Sequence, residues 1–130
     1  MDSLTILFVL GAVGAAPALL LLAFRGPVQE SWKLAAVLAV GFIGLSVFPI
    51  VQEGYFGFIP NHTQDLWGTQ VWYDLVIAVT VALVFVVPRA RAVGMKTTPW
   101  VIATAFTGCI GLLPMVARLF WLEANARKPA

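Results

Sequence analysis

The chain predicts an all-α protein, a four-helix transmembrane bundle. Three observations carry that reading. Of 130 residues, 61% are hydrophobic and only 11% charged, where a soluble domain needs nearer a quarter. Four apolar runs cover residues 4–24, 32–51, 71–88 and 99–122, and about 20 helical residues at 1.5 Å each cross a hydrocarbon core of roughly 30 Å. The runs also lack the alternation of barrel strands, and a backbone in lipid must satisfy its own hydrogen bonds, so helices are the element expected.

The first run opens with Asp2 rather than Lys or Arg and is longer than a secretory leader, so it reads as a retained helix. It carries Gly11, Gly14 and Pro17, a GxxGxxP pattern that Gly108, Gly111 and Pro114 repeat in the fourth run. The second run holds Gly41 and Gly44. Small residues at this spacing let helix backbones approach, so all eight positions are expected to serve helix packing. A hinge built on Gly and Pro is the rarer alternative.

The segment from Gln52 to Gln70 is rich in Gly, Pro and aromatics. Asn61 with Gln64 and Asp65 resembles a capping box, so the third helix is expected to begin there and either to project past Trp72 or to break at Gly68. His62 with Asp65 and Glu53 is the only grouping with metal-ligand types. One His and two carboxylates fall short of a zinc set, so no metal site and no cofactor are expected. Asn61, His62 and Thr63 also spell a glycosylation acceptor.

Arg25, Lys33, Arg89, Arg91 and Lys96 flank the first and third loops, against Arg118, Arg127 and Lys128 on the other face of a four-span chain. The positive-inside rule then puts both termini and the second loop outside. Asp74 and Arg118 sit just inside the third and fourth spans. Since these helices run antiparallel, both charges share the outer leaflet and can pair, as ions at membrane depth seek partners. Thr104, Thr107, Gly111, Pro114 and Arg118 recur at alternating intervals of three and four and so share one face of the fourth helix, which favours an inward Arg118. The competing expectation is that Arg118 snorkels past Trp121.

No phosphate loop, nucleophile elbow, catalytic carboxylate pair or HExxH occurs, so no catalytic residue is assigned and enzyme activity is not expected. Cys109 is the single cysteine and reads as a packing residue. A net charge of +2 spread along the chain offers no nucleic-acid footprint.

The stretch VWYDLVIAVTVALVFVVPRARAVGM followed by PWVIATAFTGCIGLLPMVARLFWLE resembles a family of small uncharacterised bacterial membrane proteins, a domain of unknown function. The likeness rests on Asp74, Arg89, Arg91, Gly94, Met95, Gly111, Leu113, Pro114 and Arg118, with Gly44 and Pro49 in a similar opening helix. It spans roughly residues 34–123 and leaves the first helix as an addition. It implies a bacterial inner-membrane protein and no particular activity.

The expectation is thus a single integral membrane domain, residues 1–130, in the bilayer of a bacterial cytoplasmic membrane. It would act as an accessory or scaffold protein whose partners are a second copy or a larger membrane complex. The alternative is a lipid or isoprenoid-like ligand site, or a small transporter subunit, at the outer leaflet. That site would be built from Asp74, Arg118, Trp67, Trp72, Tyr73 and Trp121.

Overall fold

A computed structural model describes residues 2–25 and 30–129. Among these there are six α-helices, one 3-10 turn and no strand. Four of the helices are long and apolar enough to cross a membrane. Packing divides the chain into two units, Met1–Glu30 and Ser31–Ala130.

The first unit is one helix, α1 (Ser3–Arg25). Asp2 caps it, its carboxylate accepting from the Thr5 amide at 2.7 Å. The helix continues through Gly11, Gly14 and Pro17 without a break.

The second unit begins with α2 (Trp32–Glu53). The Ser31 hydroxyl accepts from the Leu34 amide at 3.3 Å at its start. Gly54, at φ +82°, ends it by donating its N–H to the Ile50 carbonyl. A 3-10 turn (Tyr55–Gly57) leads into the short α3 (Phe58–Thr63), and then α4 (Leu66–Ala92) runs for 27 residues. The cap of α4 is Asp65, which accepts from the Gly68 amide at 2.6 Å; Asn61 lies within α3 instead. Gly68 does not break the helix. A Cβ there would come 2.5 Å from the Asn61 carbonyl, so glycine is what lets α3 and α4 touch.

The fourth apolar run is two helices, α5 (Thr98–Thr107) and α6 (Cys109–Ala126), joined by the single residue Gly108. Gly108 takes φ +60° and ψ −127°, backbone that a side chain disfavours. The chain folds back sharply there. Gly111 lies so close to α5 that a Cβ on it would stand 2.7 Å from the Thr104 nitrogen and 2.9 Å from the Ala103 carbonyl carbon. Further along the pair, Trp100 joins Met95, Met115 and Leu119 in one cluster with Ala90. The product is a helical hairpin of re-entrant shape, with an arm of ten residues, roughly 15 Å, and an arm of 18, roughly 27 Å.

Two long-range contacts fix the direction of each helix. Arg89, near the end of α4, donates from Nε and Nη2 to the Glu123 carboxylate, near the end of α6, at 3.1 and 2.7 Å. Tyr55, just past the end of α2, donates its hydroxyl hydrogen to the Phe106 carbonyl at the hairpin tip. Hence α4 and α6 run in the same direction, and α2 runs against both. Ala35 and Ala39, one turn apart, are the buried positions of α2, which packs chiefly on α6. Their small side chains let the two axes come close.

This arrangement corrects the expected course of the chain. The C-terminus emerges at the same end of the unit as the loop carrying Lys96, not opposite it. Lys33, Arg89, Arg91, Lys96, Arg127 and Lys128 therefore gather at one end, with Arg118 midway along α6, while Glu53, Asp65 and Asp74 lie toward the other.

Candidate functional site

At the acidic end of the second unit, α2 and α4 leave between them a cleft of about 510 Å³, within the range of about 300–1,000 Å³ common for small-molecule sites. Its walls are apolar. Phe42, Pro49 and Ile50 of α2 face Leu75, Val76 and Val79 of α4, and Phe106 and Ile110 close it from the hairpin tip. Polar groups are few along the walls, among them Ser46, Thr80, Thr104 and Thr107. Two of these hydroxyls are already committed, Ser46 to the Phe42 carbonyl at 2.7 Å and Thr80 to the Val76 carbonyl at 2.7 Å. Thr107 likewise donates to Ala103 at 2.6 Å. Thr104 is 1% exposed and its hydroxyl has no partner among the described residues.

The mouth has a different chemistry. Glu53, Tyr55, Phe58, Asn61, His62 and Trp72 surround it. Phe58 and Trp72 stack with centroids 5.5 Å apart and planes 21° from parallel, and His62 meets Trp72 edge-on at 5.7 Å. Nδ1 of His62 is 2.6 Å from the Phe58 carbonyl, which can only accept, so Nδ1 carries the hydrogen. In the neutral ring Nε2 is then the acceptor nitrogen. Among the described residues no Lys or Arg lines the cleft.

Of the six residues expected to form an outer-leaflet site, Trp72 alone lines this cleft. Trp67 and Tyr73 belong to the same end but are 79% and 63% exposed. Asp74 and Arg118 are not brought together. Arg118 is midway along α6, about 7.5 Å from Glu123, whereas Asp74 is about 22 Å along α4 from Arg89. Trp121 sits toward the basic end, beyond Arg118. The shared face proposed for Thr104, Gly111 and Arg118 fails because Gly108 reverses the chain, so that Thr104 and Gly111 oppose each other across the turn.

The packing glycines divide into two groups. Gly111 is pressed on α5, and Gly108 makes the turn, with Pro114 inside α6 just beyond. A Cβ on Gly41 or Gly44 would meet no neighbour among the described residues. Gly11 and Gly14 with Pro17 lie along α1.

Among the described residues no group of three His, Cys, Asp or Glu could hold a metal ion. His62, Asp65 and Glu53 therefore form no ligand set. Cys109 is half-buried at the first position of α6.

Sequence reading missed Glu53, Tyr55, Phe58, Asn61 and His62 as a group. The available signal was the segment from Gln52 to Gln70, rich in Gly, Pro and aromatics, which holds all five.

The fold and the cleft define a multi-helix protein with four helices able to cross a membrane and an apolar recess between α2 and α4. Comparisons with known families, with curated proteins and with solved structures find no match.

Proposed function

We propose that this is a small multi-pass protein of a bacterial cytoplasmic membrane that binds an amphipathic, lipid-like molecule in the cleft between α2, α4 and the hairpin tip. The observation that carries the reading is the gradient along that cleft, from walls of Phe42, Ile50, Leu75 and Val76 to a polar, aromatic mouth at Glu53, Asn61 and His62. Such a gradient matches a ligand with an apolar chain and a polar head, the chain gaining dispersion contacts and the head retaining hydrogen bonds. The gathering of six Lys and Arg, Lys33, Arg89, Arg91, Lys96, Arg127 and Lys128, at the opposite end supports placing that end in the cytoplasm and the mouth in the outer leaflet.

Native mass spectrometry of the full chain released from mild detergent tests this. A retained amphiphile is expected on the natural sequence and none on Ser46→Trp or Val76→Trp, each of which fills the cleft. A natural chain that carries no added mass overturns the reading.

A scaffold role is the second reading. It is favoured by Gly41 and Gly44, one turn apart on α2 with open space where side chains would stand, a surface suited to a close helix from a second copy or another membrane protein. In-membrane crosslinking from a cysteine at position 41 that yields monomer alone counts against it.

A further inference from the structure

We infer that the cleft selects a head group that donates hydrogen bonds and carries no negative charge, a hydroxyl or an ammonium, and that it discriminates against phosphate and carboxylate heads. The inference rests on the lipid-like reading of the cleft and adds the chemistry of the head.

The mouth presents acceptors. Glu53 brings a carboxylate, and His62, with Nδ1 committed to the Phe58 carbonyl, turns its acceptor capacity to Nε2. Asn61 can serve as either donor or acceptor and so accommodates a hydroxyl. Tyr55 has already given its hydroxyl hydrogen to the Phe106 carbonyl, which removes it as a donor to a ligand and leaves its oxygen as another acceptor.

An anionic head would face Glu53 with no cation nearby. Arg118 stands about 15 Å along α6 from Gly108 at the hairpin tip, the other Lys and Arg of the second unit lie at the far end, and Arg89 there is engaged by Glu123. Like charges brought together at the mouth repel, and specificity arises as much from such an unpaired charge against the wrong ligand as from contacts to the right one. An ammonium gains twice, from the carboxylate and from the electron-rich faces of the stacked Phe58 and Trp72.

The test holds the chain constant and changes the head. Hexadecanol, hexadecylamine and hexadecyl phosphate are offered at equal mole fraction in dodecyl maltoside micelles to the full-length protein, and retention is read by native mass spectrometry. The alcohol or the amine, or both, is expected to be retained at least about tenfold more tightly than the phosphate. The amine exceeding the alcohol assigns the larger part to Glu53, and Glu53→Gln should then remove that excess. Retention of the phosphate equal to or above that of both others overturns the head-group inference and leaves the cleft reading standing. Retention of none of the three overturns the cleft reading itself. Because Glu53 is exposed at a helix end, Glu53→Gln should fold, and an unchanged melting temperature confirms that its effect is on the head.

Discussion

Arg89 and Glu123 lock the ends of α4 and α6 together through two hydrogen bonds of 3.1 and 2.7 Å, with the Arg89 guanidinium also over the Phe120 ring at 5.6 Å. Bidentate geometry makes this among the stronger kinds of ion pair. Side-chain exposures of 41% and 14% keep its worth modest. A double-mutant cycle on Arg89→Gln and Glu123→Gln, read by chemical denaturation in detergent, should give a coupling of roughly 0.5–1 kcal/mol. A coupling of zero would mean that the pair does not bind α4 to α6.

The hairpin depends on two glycines for different reasons. Gly108→Ala forces a side chain into φ +60° and should cost about 1–3 kcal/mol. Gly111→Ala thrusts a Cβ into the backbone of Ala103 and Thr104 and should cost a similar roughly 1–3 kcal/mol. Gly41→Ala meets no such obstacle and should fall within about 0.5 kcal/mol. Equal melting temperatures for all three variants would contradict the sharp reversal at Gly108.

Those glycines also explain what could be read from the chain and what could not. Apolar runs located the first three long helices, because length and hydropathy decide whether a helix can cross a bilayer, whereas the fourth run covers α5 and part of α6. Gly108 in its sequence looks no different from Gly41, which stays helical. Its role comes from Gly111 finding the α5 backbone seven residues back, a tertiary contact that no local pattern encodes. Read as one helix, the fourth run carries Arg118 toward the end that holds Asp74 and makes the two expected partners. The mouth of the cleft was obscure for a related reason. Glu53 and His62 are joined by the turn between α2 and α3, whereas Trp72 reaches them only after α4 reverses the chain.

Thr104 buries a hydroxyl with no partner among the described residues. Thr104→Val keeps the shape and removes that cost, so it should leave stability unchanged or raise it by up to about 1 kcal/mol. Thr104→Ser keeps the hydroxyl, loses a packed methyl and should lower it. The reverse order in thermal melts would show that the hydroxyl is satisfied in solution.

The orientation proposed for the second unit has a direct readout. A fluorescent-protein fusion after Pro129 should glow, as such fusions do in the cytoplasm, and an alkaline phosphatase fusion there should be inactive. A cysteine placed at Asn61 should react with a membrane-impermeant maleimide added outside intact cells. An active phosphatase fusion would reverse the assignment.

Asp2 supplies a pH response. The Thr5 hydroxyl and then the Thr5 amide hydrogen-bond its carboxylate and hold its carboxyl below the ordinary aspartate value. A depressed folded value means that the cap is fully present above the unfolded value and is lost as pH falls through the depressed one. The Thr5 amide resonance of the full chain in detergent should move through this acid range and exchange faster at its lower end. In Asp2→Ala that titration should vanish.

The reversal at Gly108 bears on biogenesis. An insertion machinery that sorts segments by hydropathy meets α2 and α4 as strong signals, but α5 has only ten residues and α6 is the least apolar of the four long helices. Until Tyr55 supplies its hydroxyl hydrogen, the Phe106 carbonyl at the tip lacks that partner, and a bare carbonyl is poorly tolerated in hydrocarbon. The hairpin should therefore enter last, docking into a frame that α2 and α4 have already set. A ribosome-nascent chain truncated before Gly108 would then hold a frame with its final piece still outside the membrane.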